Sequence, residues 1–158
     1  MTDSVNARSA LFVGAFTVTI LVVAVAGGVG VGEAAAQQTV GECREINSSF
    51  VGENSTVELQ NDVAASGDCF TVTADDVTLD GNGYATNGSG TGTGVVVAAE
   101  NVGVVDVTAE NFTVGVQYGT DAAAASGELD AMLANNTRGV HVANVAADGV
   151  RVAGAEVE

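Results

Sequence analysis

Short Val- and Thr-rich stretches alternate with period two, a unit recurs every 21 to 25 residues, and Asp/Asn–Gly pairs stand between the stretches. These three observations predict an all-β chain wound as a short right-handed parallel β-helix, a solenoid of about four or five coils.

The first 36 of the 158 residues stand apart from that pattern. Met1 to Ser9 is polar with one Arg, and Ala10 to Gly32 then runs 23 residues without a charge. Glu33 and Ala34-Ala35-Ala36 follow. This layout is that of a secretory signal peptide with a small-residue cleavage site ending at Ala36. An uncleaved membrane anchor is the alternative, because about 20 apolar residues span a bilayer. The absence of an Arg-Arg pair favours the general secretory route. Residues 37–158 are the expected β-helix domain. That domain stops at Ala155-Glu156-Val157-Glu158 in mid-coil, so either a truncated gene product or an end that stacks on a protein partner is expected.

Along the domain the alternating stretches are Thr56–Gln60, Cys69–Thr73, Asp76–Asp80, Asn101–Val104, Phe112–Tyr118, Val140–Val142 and Val150–Val152. Each reads as a half-buried strand. Turn residues separate them: Gly67-Asp68, Asp75-Asp76, Gly81-Asn82-Gly83, Asn87-Gly88, Glu110-Asn111, Asn135-Asn136 and Asp148-Gly149. Gly-Val opens a strand at Gly94, Gly115 and Gly139, spaced by 21 and 24. Val72 to Val77 matches Val97 to Val102 at a displacement of 25. Hairpin sheets share strands and turns, but they need no fixed period. Val72, Val77, Leu79, Val95, Val97, Val102, Val104, Val114, Val116, Val140, Val142, Val150 and Val152 are expected to point into the stack. Asp121 to Ala134, with four consecutive Ala, reads as a short helical excursion or a degenerate coil.

Twenty Asp+Glu against four Arg, with no Lys, give a formal charge of −16. Phosphate contacts need a basic footprint, so non-specific nucleic-acid binding is excluded, and so is docking on anionic lipid through a polybasic patch. Membrane contact is expected only if the N-terminal segment stays uncleaved. After cleavage, eighteen acids and three Arg leave about −15. At 1 M ionic strength the Debye length is about 3 Å and such self-repulsion is screened. Adaptation to very high salt is therefore the expectation. Cys43 and Cys69 are the only cysteines, an even pair that reads as one disulfide in an oxidising, extracellular or cell-surface compartment.

The segment from Cys69 to Gly83, CFTVTADDVTLDGNG, resembles the first coils of secreted archaeal right-handed parallel β-helix proteins of the pectin-lyase-like superfamily. Asn101 to Asn111 is similar to the repeated coil of that group, which includes NosD-like copper-maturation proteins. The resemblance covers roughly Gly41 to Val152 and implies that an upstream Cys such as Cys43 pairs with Cys69. Fold carries over in such a superfamily better than function.

Enzymes of this fold use acidic clusters, often with Ca²⁺, and a basic residue on the outer face. Asp75, Asp76 and Asp80 are the weak metal candidates here, with Asp106 beside them and Arg138 or Arg151 as base. In so acidic a chain, acids at turns more commonly cap backbone groups, and neither a catalytic residue nor a cofactor is assigned. Copper would have only His141 and Met132, and His141 is expected to point outward. Tyr84, Tyr118 and Phe112 read as core or turn packing before sugar stacking. Asn47, Asn54, Asn87, Asn111 and Asn135 open Asn-x-Ser/Thr sequons and are glycan acceptor candidates. The resulting expectation is a secreted, salt-adapted β-helix module that binds a polysaccharide or envelope component and is not an enzyme. The alternative is a remnant or subunit of a β-helix polysaccharide lyase or hydrolase.

Overall fold

The strands pair in parallel throughout, each with the strand one coil further along the chain. The structure is a computed structural model and describes residues 36–157, which form part of one compact unit. The expected signal segment, apart from Ala36, lies outside the described residues.

Among the described residues fourteen strands occur in order: β1 (Gln37–Val40), β2 (Arg44–Ile46), β3 (Ser55–Leu59), β4 (Val63–Ala64), β5 (Phe70–Val72), β6 (Val77–Asp80), β7 (Ala85–Asn87), β8 (Thr93–Val97), β9 (Val102–Glu110), β10 (Val114–Tyr118), β11 (Ala125–Ala134), β12 (Arg138–Val142), β13 (Val145–Val152) and β14 (Glu156–Val157). One face stacks β1-β3-β6-β9-β11-β13 and another stacks β2-β5-β8-β10-β12. A third face forms where β4 and β7 meet the C-terminal half of β9, and where β14 meets that of β11. This is a three-sided parallel β-solenoid of about five coils. The described residues contain no helix.

The repeat read from the sequence is the strand register itself. Val95 pairs with Val116 and Val116 with Val140, steps of 21 and 24. Val72 pairs with Val97, a step of 25. Over the whole stack the step varies from 19, Gln37 to Thr56, to 26, Arg44 to Phe70. Corners absorb the variation. Among the described residues every non-glycine residue with positive φ is Asn or Asp: Asn54, Asp76, Asn82, Asn101, Asp106, Asn111 and Asn135. Their short polar side chains tolerate the left-handed region, so the chain can bend sharply without a glycine. Asp106 is the residue bulged out of β9, because Val105 pairs with Asp130 and Val107 with Ala131. That bulge turns one long strand across two faces. Glycine is required at Gly81, where a Cβ would lie 2.0 Å from the Asp106 carbonyl oxygen of the next coil.

Inward rows run along the stack. One is Val57-Leu79-Val104-Leu129 and another is Ile46-Val72-Val97-Tyr118, all buried. Nine of the thirteen expected core residues are buried as expected. Val140 and Val150 are half-buried, and Val142 and Val152 are exposed at 48% and 53%. Val142 and Val152 are in register with the buried Tyr118 and Leu129, and Val140 and Val150 with Val116 and Gly127, but all four lie on the last described strands, with no described coil above them. The helical alternative for Asp121–Ala134 is corrected: Ala125–Ala134 is the ten-residue strand β11. Its alternate residues Leu129, Ala131 and Leu133 complete inward rows, and stacking overrides the helix preference of Ala.

Cys43 and Cys69 are bonded. Each immediately precedes a strand, and those strands align Arg44 with Phe70. The bridge therefore staples the first coil to the second at one corner.

Candidate binding groove

The outer face of the first sheet carries a shallow groove of about 390 Å³. Its base is one outward row, Thr56-Thr78-Gly103-Glu128, contributed by β3, β6, β9 and β11. Alternation places these residues outward because their strand neighbours fill the core. Gly103 makes the depression: a Cβ there would come 3.3 Å from Thr78 Oγ1.

One wall is the corner stack of Asn54, Asp76 and Asn101. Asn101 Nδ2 donates to Asp76 Oδ1 at 2.7 Å, and the Asn101 amide donates to Ser126 Oγ at 2.9 Å. These bonds tie Asp76, Asn101 and Ser126 together across three coils. At the far end Arg151 Nη1 lies 3.3 Å from Glu128 Oε1, an exposed pair. Such a pair contributes little to stability, but it orients the carboxylate. Ser55 lies beneath the wall, and its buried hydroxyl has no partner among the described residues.

The sequence-derived metal candidates do not converge. Asp75 Oδ1 accepts the Glu100 amide at 2.8 Å from the next coil, and Asp80 Oδ1 accepts the Asn82 amide at 2.8 Å. Asp76 is the corner residue just before β6 and Asp80 is its last residue, so the length of the strand, about 13 Å at most, separates them. Asp106 lies at the bulge, at the Asp80 end. Among the described residues no group of three or more His, Cys, Asp or Glu is placed to hold a metal ion. Several acids instead cap the neighbouring coil: Asp62 accepts the Ala85 amide and Asp68 the Thr93 amide.

Phe112 and Tyr118 are buried, so neither offers a face to a sugar; Tyr84 is half-buried against the core. The Tyr118 hydroxyl donates to the Glu128 carbonyl at 2.8 Å. Burial pushes its ionisation well above the ordinary tyrosine value, and the Glu128 carboxylate adds to the shift. His141 is half-buried on the outside of β12, its Nδ1 3.3 Å from Gln117 Oε1 one coil back. Met132 is exposed on β11.

The sequons occupy corners. Asn87, Asn111 and Asn135 fall on one corner in successive coils, and Asn111 Nδ2 donates to Asn87 Oδ1 at 3.2 Å. Asn87 Nδ2 donates to Glu110 Oε1 at 3.0 Å. Asn47 Oδ1 accepts the Ser49 and Phe50 amides, and Asn54 lies in the groove wall.

Sequence reading picked out Asp76 but missed Thr56, Thr78, Gly103 and Glu128 as one row. The steps between them are 22, 25 and 25. That signal was within reach for Thr78 and Gly103, and Glu128 was hidden by the Ala-rich stretch before it. The fold and groove define a parallel β-solenoid with a polar trough across four coils. No protein-family model, curated protein or solved structure matches the chain.

Proposed function

We propose that the protein is a secreted or cell-surface, salt-adapted β-helix module that holds an extended hydroxyl-rich polymer, a polysaccharide or envelope component, along this groove. The observation that carries the reading is the groove itself. It crosses four coils and is lined by hydroxyls, side-chain amides and carboxylates. Such groups exchange hydrogen bonds with water for hydrogen bonds with sugar hydroxyls. No lysine exists to neutralise a charged ligand, and Asp76 and Glu128 face the trough. An uncharged glycan suits that potential and a polyuronate does not. Export is supported by the Cys43–Cys69 bridge and by the signal-like N-terminal sequence. Salt adaptation is supported by the acid excess. The right-handed winding follows the general preference of parallel crossovers.

Titration calorimetry of the protein in molar salt, with neutral oligosaccharides and with oligogalacturonate, tests the proposal. Neutral glycans are expected to bind, and Gly103→Leu, which fills the trough, to abolish binding while the β signal stays. Binding of neither ligand, or equal binding by G103L, would overturn the groove reading. Release of unsaturated sugars would replace it with the enzymatic one.

A further inference from the structure

We propose that Asn82 is a site of spontaneous self-modification, losing its carboxamide as ammonia through an imide formed with the Gly83 nitrogen, while Asn87 is held against the same reaction. The sequence contains two Asn-Gly pairs, Asn82-Gly83 and Asn87-Gly88. Glycine carries no Cβ to shield the nitrogen that follows the asparagine. In the reaction that nitrogen gives up its proton and bonds to the asparagine Cγ. The bond from Cγ to Nδ2 breaks and ammonia leaves. Water, the only co-reactant, then opens the five-membered imide at either carbonyl. The product is aspartate, or isoaspartate in which the main chain runs on through Cβ and Cγ. Both groups belong to one short stretch of chain, so the step is fast wherever they are free to meet.

Both asparagines are exposed, so exposure does not separate them. Hydrogen bonding does. Asn82 and Gly83 are the central residues of a turn closed by the Tyr84 amide, which donates to the Gly81 carbonyl at 2.8 Å. Their φ values of 51° and 77° make it a type I′ turn. The Asn82 amide donates to Asp80 Oδ1 at 2.8 Å, but among the described residues the Asn82 carboxamide and the Gly83 amide have no partner. Apart from chain neighbours, no atom lies within 4 Å of the place a Gly83 Cβ would take. Asn87 has the opposite surroundings. Its Nδ2 donates to Glu110 Oε1 at 3.0 Å, and its Oδ1 accepts from Asn111 Nδ2 at 3.2 Å. The Gly88 amide, the nucleophile there, donates to the Glu110 carbonyl at 2.8 Å, and the Asn87 carbonyl accepts the Ala65 amide at 2.9 Å. A Cβ at Gly88 would lie 2.5 Å from the Asn111 carbonyl oxygen. Closing the imide at Asn87 therefore breaks bonds to the coils on both sides, and at Asn82 it breaks none. Conversion at Asn82 places a new carboxylate two residues from Asp80, and isoaspartate lengthens a turn with only two central residues.

The test is a time course of peptide mass spectrometry on the purified full chain, kept warm at mildly alkaline pH in molar salt, where circular dichroism establishes that it stays folded. Asn87 is read on peptides without sugar, because it also opens a sequon. Asn82 is expected to convert at least about tenfold faster than Asn87, a barrier difference of about 1.4 kcal/mol. Both aspartate and isoaspartate are expected at position 82. The same chain, reduced and unfolded in urea, is expected to lose the preference, since the two dipeptides are then equally free. Equal rates in the folded protein, no conversion at Asn82 while the unfolded chain converts, an undiminished preference in urea, or aspartate without isoaspartate would each overturn the proposal. The outcome does not depend on whether the groove binds a glycan, because Asn82 follows the Asp80 end of β6 and the groove wall stands at the Asp76 end.

Discussion

Reducing the Cys43–Cys69 bridge is expected to destabilise the protein by about 3–4 kcal/mol. The half-cystines are 26 residues apart, and the chain-entropy relation for a loop of that length gives roughly 3.5 kcal/mol at 25 °C. The structure says where the loss falls. The first coil has a described coil on one side only, and the bridge pins its β2 onto β5. Its own buried apolar side chains are few, chiefly Val40, Ile46 and Val51. Without the bridge, β1 and β2 have little to hold them in register, and opening should begin there. Urea unfolding in molar salt, with and without a phosphine reductant, measures the loss. With a slope of about 1–3 kcal/mol per molar urea, the midpoint should fall by roughly 1–3 M. Amide exchange should accelerate first in Gln37–Val40 and Arg44–Ile46. Coincident midpoints, or exchange that accelerates first at β9 or β11, would refute the reasoning.

Stability should drop as salt falls from molar to 0.1 M. Glu58 and Asp80 are register neighbours on the outer face, about 4.8 Å apart at the strand spacing, and such a pair repels by about 0.9 kcal/mol in water before screening. The Debye length grows from about 3 Å to about 10 Å over that range, so an unchanged thermal midpoint would remove the halophilic reading. Tyr118 should make the fold alkali-sensitive. Its folded-state ionisation lies above the unfolded tyrosine value. The stability it contributes is therefore complete below about pH 10 and is lost as pH rises beyond that value. With no Lys and both cysteines bonded, few other groups titrate there. Tyr118→Phe should lose about 1 kcal/mol at pH 8 and show a flatter decline from pH 10 to 12, and parallel curves would contradict this. In the exported protein, Asn111 should carry no glycan, because its amide is bonded to Asn87 and the adjacent coils lie about 4.8 Å away. Glycopeptide mass spectrometry showing sugar on Asn111 would refute it.

Local pattern determined most of the architecture. Alternation in Val77–Asp80 or Val114–Tyr118 states which side chains face inward, because a strand has period two whatever it packs against. The displacement of 25 between Val72 and Val97 is the coil length, since stacking repeats must return to the same corner. Asn and Asp marked corners because few other L-residues accept positive φ. Three things needed the folded chain. Ala125–Ala134 is a strand only because Val102–Glu110 lies beneath it, and alanine alone prefers helix. The trough at Gly103 exists because residues 22 to 25 apart in sequence become neighbours, and a missing side chain matters only between two that are present. The exposure of Val142 and Val152 follows from position in the stack, not from pattern. An inward residue is buried by the coils on both sides of it, and the last described coil has a described coil on one side only.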